Sequence, residues 1–441
     1  MEMKEKWALA ALAVMLSAGA GQGMADDLIV YVFDQDLKAV LRIQDMNHDW
    51  DTRDPGEVVL AYDQYPAGTG VGNSQGMVAL GPDDLLVTDN YAPPNIVRLR
   101  DLNGDHDFFD AGEATVWFGG GLPGGRMLEM PVALIAGPDG AFYLFESSFG
   151  GSANPDAIYR LEDLNGDGDV NDADEVELWV ELSPGGISAV SANDLEFDNA
   201  GYAYFSDTPS GETLRVKRID PVTREVTEYL TDDMLLSLTG YWIAWLYGGP
   251  LAYNYFTDEI VLFGYYGIAT DVLLAIKDRD GNGIIDKPNE VRELWHELSG
   301  THAPEQDHGR EYFFLPDGSL LVLDMLFDRV KRLSDNNGDG DYNDSGETVV
   351  LYDAAQAALV GQPAATRLLS VTAMVVTTSG DVNCDSAVNV FDIDSFVLAL
   401  TDMGKYRAAH PGCDPGSADI NGDGAVNVFD IDPFVSLLVG G

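Results

Sequence analysis

A chain of 441 residues carries 74 Asp and Glu against 24 Lys and Arg, a formal charge of −50. Charge of that sign and size repels phosphate, which excludes nucleic acid and anionic membrane surfaces as partners. Apolar residues at 46% and aromatic residues at 10% exclude a disordered acidic chain, and the length suffices for one large domain plus a small one.

The opening residues, MEMKEKWALAALAVMLSAGAGQGMADD, have a Lys-bearing start, a moderate apolar run and small residues at Ala20 and Ala25. They read as a secretory signal peptide over residues 1–25, cleaved after Ala20 or Ala25. No later stretch is long and apolar enough to span a bilayer. The mature chain is therefore expected to be secreted, outside or on the surface of a bacterium, with no transmembrane anchor.

From there on, one pattern recurs. An acidic loop begins at Asp45 (DMNHDWDTRDPGE), Asp101 (DLNGDHDFFDAGE), Asp163 (DLNGDGDVNDADE), Asp278 (DRDGNGIIDKPNE) and Asp335 (DNNGDGDYNDSGE). Midway across the one double gap, RIDPVTREVTEY is the same strand–turn–strand without ligands. Counting it from Asp220 gives spacings of 56, 62, 57, 58 and 57 residues, an internal repeat. Each unit also has a first half of two apolar strands about a tight turn, as in GMVALGPDDLLVTD and YFFLPDGSLLVLD. Four short antiparallel strands repeated six times predict a mainly β fold, a six-bladed β-propeller over residues 26–378. LIVYVFD (28–34) lacks a preceding strand, and RLLSVTAMVVTTSG (367–380) supplies one, so a C-terminal strand is expected to close the ring.

Each acidic loop sets oxygen ligands on one turn between the last two strands of its blade. The candidate ligands are Asp45, Asn47, Asp49, Asp51 and Glu57 in the first blade, and Asp101, Asn103, Asp105, Asp107 and Glu113 in the second. Asp163, Asn165, Asp167, Asp169 and Glu175 follow in the third, and Asp335, Asn337, Asp339, Asp341 and Glu347 in the sixth. The fifth loop offers Asp278, Asp280, Asn282, Asp286 and Glu290, with no acid at its seventh place. Carboxylates this dense repel one another without a cation, and calcium outside the cell is the expected one. Because the loop recurs around the ring, its expected role is structural.

A ligand site is expected on the opposite face, near the central channel. There the loop SGTHAPEQDHGR offers His302, Glu305, Asp307 and His308, able in principle to hold a metal or act as acid and base. Asp34, Asp89, Glu146, Asp207 and Asp324 end successive second strands and form a ring of carboxylates, read either as a sugar or metal site or as caps of the following turns. One stretch, ANDLEFDNAGYAYFSDTP (192–209), resembles propellers of the NHL, TolB and gluconolactonase kind. In the gluconolactonase-like family an Asn at the start of an inner strand helps bind the catalytic metal. The resemblance puts Asn193 in that role here, whereas Gly76, Val132 and Arg310 do not complete a metal set. No GxSxG, dinucleotide-binding or P-loop pattern occurs.

After Gly380 the composition changes. DVNCDSAVNVFDIDSFVLAL and DINGDGAVNVFDIDPFVSLL begin 38 residues apart, at Asp381 and Asp419. Asp381, Asn383, Asp385, Asn389 and Asp392, then Asp419, Asn421, Asp423, Asn427 and Asp430, occupy places one, three, five, nine and twelve of calcium loops that lead into helices. Cys384 and Cys413, the only cysteines, are expected to pair in an exported chain. Residues 379–441 resemble a type I dockerin, the duplicated α-helical calcium module that plugs into cohesin domains of extracellular assemblies. The resemblance implies a cohesin-like domain or another surface scaffold as partner. It assigns partner selection to Val390, Phe391, Val428 and Phe429, where dockerins often carry small hydroxyl residues.

Three functions fit these modules. The first is a calcium-binding protein whose propeller recognises a partner or ligand, a carbohydrate among the candidates, and whose tail attaches it to an assembly. The second is a dockerin-bearing carbohydrate-active enzyme, a glycoside hydrolase or lyase in polysaccharide breakdown. The third is a calcium-dependent surface-layer or adhesion component.

Overall fold

The structure is a computed structural model and describes residues 27–49, 51–64, 69–91, 93–147, 155–172, 174–182, 194–207, 215–243, 249–266, 270–296, 309–325 and 327–440. The signal-peptide reading of residues 1–25 and the candidates Asn193, His302, Glu305, Asp307 and His308 lie outside the described residues.

Six antiparallel sheets of at least four strands form the blades of a propeller. The second blade shows the pattern: Met77–Gly81, Asp84–Asp89, Asn95–Arg100 and Ala114–Phe118 pair in chain order. The third runs Pro131–Ala136 to Val176–Glu181, the fourth Leu195–Phe197 to Val226–Thr231, the fifth Leu251–Asn254 to Val291–His296 and the sixth Gly309–Phe314 to Thr348–Asp353. In the first, Asp27–Asp34, Ala39–Gln44 and Val58–Tyr62 take their innermost partner from Leu368–Val376. That pairing runs antiparallel from Asp27↔Val376 to Asp34↔Leu368.

Both faces of every sheet are covered, so the strands read as continuous apolar runs rather than alternating ones. In the second blade Leu85 and Val87 pack into the seam with the first, while Leu86, one residue out of phase, packs into the seam with the third. Each of the six seams has its own apolar cluster, and no single central core exists among the described residues.

The sequence pattern did not foresee the helices Asp232–Thr239 and Ala354–Val360, which follow the last strands of blades four and six. Their signals are local: Thr231 and Asp353 cap the starts, and Gly240 and Gly361 end them in the left-handed conformation.

The tail folds around a separate core. Its helices are Asp392–Thr401, Met403–Ala409 and Ile431–Gly440. Phe396 and Phe434, equivalent positions of the two repeats, stack at 4.1 Å, and Cys384 is bonded to Cys413. This small domain is seated on the propeller, on the face that carries the acidic loops. Val375 donates its N–H to Gly412 O at 2.6 Å, and Asp414 N–H donates back to Val375 O at 3.1 Å. Arg407 Nη2 reaches Leu80 O at 3.3 Å. Gly404 lies so close to Gly140 that a Cβ on residue 404 would stand 2.2 Å from the Gly140 carbonyl oxygen.

That backbone-to-backbone approach makes Gly404→Val a clean test of docking. Overpacking costs about 1–3 kcal/mol, and here the strain falls on the seat of helix Met403–Ala409. Hydrogen exchange across 403–414 should accelerate relative to the unsubstituted protein while exchange in blades four and five stays unchanged; unaltered exchange across 403–414 would show that the seat contributes nothing.

Candidate metal centres

The acidic loops begin from a feature of the fourth strands. In all six blades the third-to-fourth strand pairing skips one residue: Ala61, Trp117, Trp179, Tyr229, Leu294 and Leu351. Such a bulge leaves a residue without its ladder partner, and its carbonyl must be satisfied elsewhere. In every case the following blade does it. Phe108 N–H donates to Ala61 O at 2.9 Å, Val170 N–H to Trp117 O at 3.0 Å, Ile285 N–H to Tyr229 O at 2.8 Å and Tyr342 N–H to Leu294 O at 2.7 Å. Thr52 closes the circle, its hydroxyl 2.6 Å from Leu351 O. All five donors stand at the eighth place of an acidic loop, and all five are buried. The fourth blade has no acidic loop, and there Arg224 Nη1 takes Trp179 O at 3.1 Å with its guanidinium 4.9 Å from the Trp179 ring.

Inside each loop the carboxylates are held by backbone N–H groups. In the second blade Asp101 accepts from Asn103, Gly104 and His106 N–H at 2.7–2.9 Å. Burial opposes ionisation there, but those three donors hold the Asp101 carboxyl below the usual range. Glu113, 1% exposed, accepts from Leu102 and Asp110 N–H, both at 2.9 Å. Glu57, Glu175, Glu290 and Glu347 repeat that clasp from equally buried positions. The first-place acids Asp163, Asp278 and Asp335 accept from the fourth- and sixth-place glycines. Asp45 accepts from Asp49 N–H at 3.2 Å. These turns require left-handed backbone, which His48 (φ 60°) and His106 (φ 66°) adopt where the other loops place glycine.

The remaining ligands converge as their spacing demands. Asn103 Nδ2 donates to Asp105 Oδ2 at 3.0 Å and to Asp110 Oδ2 at 2.5 Å. Asn47, Asn165 and Asn337 likewise bridge Asp49 and Asp54, Asp167 and Asp172, Asp339 and Asp344. Asp51, Asp107, Asp169 and Asp341 instead turn back to accept from the N–H two residues on. Oxygens of Asp101, Asp105 and Glu113 lie within 4.8 Å of one another, as do those of Asp278, Asp280 and Glu290. An all-oxygen, multiply charged set of this size suits a hard divalent cation.

The oxygen-bearing tenth place is legible in the sequence of these loops, but the candidate ligand sets left out its acids, Asp54, Asp110, Asp172 and Asp344. They also left out Lys287, which occupies the tenth place of the fifth loop. There the ammonium pairs with Asp280 and lies 3.6 Å from Asp286, while Asn282 bonds Asp286 at 3.2 Å. The fifth loop thus carries its own cation. His106 and Asp83, paired at 3.0 Å beside Asp101, had no sequence signal because Asp83 comes from a separate hairpin turn.

In the tail, Asp392 accepts from Val382, Asn383 and Asn389 N–H, and Asp430 from Asn421 and Asn427 N–H. Asn383 and Asn421 reach Asp385 and Asp423, and Asp419 accepts from Gly422 and Gly424. Burial, then the charges of Asp392 and Asp385, push the Asp381 carboxyl up to about 6. Asn389 and Asn427 cap the turns that follow, accepting from Phe391 and Phe429 N–H.

The ring of second-strand carboxylates does something different. Asp34 accepts from Leu37, Thr366 and Arg367 N–H, Asp89 from Gly72, Asn73 and Tyr91 N–H, and Glu146 from Glu129 and Met130 N–H. Asp324 binds Phe327 N–H and the Lys331 ammonium, 2.6 Å away. These four hold the segments that lead between strands. Asp207 is wholly buried with neither oxygen hydrogen-bonded among the described residues, and burial pushes it up to about 6 against the pull of Lys217 and Arg215.

No protein-family model matches this sequence, and no curated protein matches it. Among solved structures, a structural-genomics protein of unknown function from Bacteroides thetaiotaomicron is 12% identical over 70% of this chain, at a TM-score of 0.41. The chain spans 62% of that protein's length. TolB from Acinetobacter baumannii is 12% identical over 77% of this chain and 69% of its own, at 0.42. The periplasmic gluconolactonase of Pseudomonas aeruginosa is 14% identical over 74% of this chain and 96% of its own, also at 0.42. The blade count rests on this chain's own strand pairings. Among the described residues no helix is long and apolar enough to cross a membrane.

Arg224→Ala strips the Trp179 carbonyl of its donor, and the loss should destabilise the chain by about 1–2 kcal/mol, with exchange protection falling first along Val176–Glu181. Unchanged protection there would mean that the bulged carbonyl finds another partner.

Glu146 gives a pH signature. Burial pushes its carboxyl up to about 8, against the lowering effect of the Met130 and Glu129 N–H groups. The folded state therefore holds a proton that the unfolded state releases near pH 4.5, and stability from this group is lost as pH rises from about 5 to about 8, at up to about 1.4 kcal/mol per pH unit. Glu146→Gln keeps one acceptor oxygen and should flatten that slope in urea titrations; an identical slope in both proteins would assign it elsewhere.

Proposed function

We propose that this chain is a secreted, calcium-binding modular protein of a bacterial surface or exterior. Its propeller recognises a ligand or partner, and its dockerin-like tail, residues 379–441, attaches it to a cohesin-like domain or another surface scaffold. The observation that carries the calcium reading is the coupling of each acidic loop to a neighbouring blade. An ion that fixes the first-, third- and fifth-place ligands also fixes the eighth-place donor, and hence the seam. Calcium would thus act as a structural element of the ring. Without it the loops hold like charges together at the expense of stability.

Ring closure by Leu368–Val376 belongs to the same reading, since its pairing with Asp27–Asp34 leaves the first blade no open inner edge. For the tail, support comes from exposure. Val390, Phe391, Val428 and Phe429 are 65%, 74%, 69% and 73% exposed, on two loops related by the repeat. Large apolar side chains in matched, solvent-facing pairs are the kind of surface a protein partner covers. Helix Met403–Ala409, not these pairs, makes the seat on the propeller, so docking leaves both pairs available.

The test is calcium calorimetry and thermal unfolding on the full chain after chelation. Calcium should raise the unfolding temperature, each site contributing about 2.7 kcal/mol at a hundredfold excess over its dissociation constant. Asp163→Asn with Asp167→Asn should remove one site and lower Tm in saturating calcium. The fifth loop should bind least tightly, and Lys287→Asp should tighten it. A melting curve indifferent to chelator would leave the loops as solvated turns and overturn the reading.

A further inference from the structure

One arginine of the ring lacks the partner that its equivalents have. The place three residues before the first acid of each loop holds Arg42, Arg98, Arg160 and Arg332 in blades one, two, three and six, and Ala275 in blade five. Each of these arginines binds an acid of a first-hairpin turn. Arg42 reaches Asp83 at 3.1 Å, Arg98 grips Asp84 through two bonds of 2.8 and 2.6 Å, Arg160 reaches Asp139 at 2.6 Å, and Arg332 pairs with Asp317. Blade four has Arg218 at this register, opposite Tyr204 as Arg160 is opposite Tyr143. Its turn, 198–201, closes with Gly201 N–H on Asp198 O, just as Gly140 closes on Gly137 O and Gly318 on Leu315 O. The third place of that turn is Asp139 in blade three and Asp317 in blade six, but Ala200 in blade four. Arg218 forms no ion pair and no side-chain hydrogen bond among the described residues.

The half-buried guanidinium is held by rings instead, 4.5 Å from that of Tyr202 and 5.7 Å from that of Tyr229. With Ala200, Tyr204, Tyr229 and Tyr253 it lines a pocket of about 160 Å³ between blades four and five. Three acids and a lysine line the pocket too, and each is engaged. Asp198 accepts from Ala200 and Tyr202 N–H and from the Tyr204 hydroxyl, all at 2.9 Å. Asp258 accepts from the Tyr253 hydroxyl at 2.8 Å and pairs with Lys277 at 2.9 Å. Asp278 accepts from Gly281, Asn282 and Gly283 N–H within its own loop. Asp220, the nearest acid along the chain, is turned to Val222 and Thr223 N–H. Of the charges lining the pocket, only that of Arg218 is unmatched among the described residues.

We propose that this pocket binds a hydroxylated carboxylate about the size of one sugar ring, its acid group on Arg218 in the place that Asp139 and Asp317 fill in their own blades. A planar guanidinium recognises a carboxylate through paired bonds, as Arg98 does with Asp84. Tyrosine rings offer the body of the ligand flat, amphipathic walls. Its hydroxyls are needed as well, because Asp198 and Asp258 would repel a bare acid but keep lone pairs that accept from O–H groups. The inference rests on the reading of the propeller as a ligand-recognition domain and gives that ligand a chemical class.

Calcium-saturated full-length protein should be titrated by calorimetry with methyl glucuronoside, methyl glucoside, which lacks the carboxylate, and cyclohexanecarboxylate, which lacks the hydroxyls. The glucuronoside is expected to bind at least about tenfold more tightly than either. Arg218→Gln should bring it down to the level of the glucoside. Ala200→Asp restores the acid that blades three and six carry, and the internal pair should abolish glucuronoside binding. Thermal unfolding reports that each variant is folded. Equal affinity for glucuronoside and glucoside overturns the proposal, as does cyclohexanecarboxylate binding equally well. So does glucuronoside binding unchanged by Ala200→Asp, or no saturation by about 10 mM. A ligand that saturates the propeller with an affinity indifferent to Arg218→Gln and Ala200→Asp overturns this site alone and leaves the ligand-recognition reading standing.

Discussion

Every seam of this ring depends on one exchanged hydrogen bond. A bulge in each fourth strand detaches a carbonyl from its own sheet, and the next blade supplies the donor. Taken singly, such a bond is worth about 1 kcal/mol net. Its importance lies in position: it ties the outermost strand of one blade to the next from inside the apolar cluster of their seam. Five of the six donors are mounted at the centre of loops whose charges oppose the very conformation that presents the donor. The sixth is Arg224, a guanidinium whose charge has no such conflict. The chain therefore has two solutions to the same geometric demand, a donor at the eighth place of an acidic loop and a cationic side chain from a plain hairpin.

The fifth loop stands between these solutions. Lys287 replaces an acid at the tenth place, and Ile284 replaces one at the seventh. The ammonium then pairs with the third-place Asp280, whose counterparts Asp49, Asp105, Asp167 and Asp339 meet an asparagine amide instead. Three grades of one device thus coexist in a single ring: a loop with no internal cation, a loop with one, and a hairpin that needs none. They share the donor's place because the acceptor, the bulged carbonyl, is fixed by the sheet and does not change.

Much of this was legible in the sequence and part was not, for definite reasons. The repeat of nearly sixty residues and the paired apolar strands gave the six blades, since both are periodic along the chain. The five loops were equally plain, including their buried closing glutamates, which a thirteenth-place acid before a strand announces. The bulge left no mark, because Ala61, Trp117, Trp179, Tyr229, Leu294 and Leu351 have no chemistry in common. The eighth-place residues Thr52, Phe108, Val170, Ile285 and Tyr342 are as varied, since the backbone does the bonding in four of them. Arg224 looked like an ordinary turn residue. Five of the contacts that decide these roles join residues about fifty apart and the sixth, Thr52 to Leu351, joins residues 299 apart, so only the closed ring brings them together.

The tail shows the same limit in a different form. Its two calcium-type loops are so regular that residues 379–441 read as an appended module, and composition alone supports a boundary there. The backbone crosses that boundary in both directions: Val375 N–H donates to Gly412 O, and Asp414 N–H donates to Val375 O. Gly140 and Gly404, each unremarkable in its own segment, are a matched pair because neither tolerates a Cβ facing the other's backbone. The docking also gathers the tail's acids on the side of the propeller that already holds the five loops. A tail that seats there by backbone contact and through Arg407 brings further acids onto an already acidic face, so on the calcium reading proposed above it seats most readily once cations have neutralised the loops. On that reading, neutralisation of the loops and seating of the tail are linked equilibria, coupled through charge rather than through any single contact.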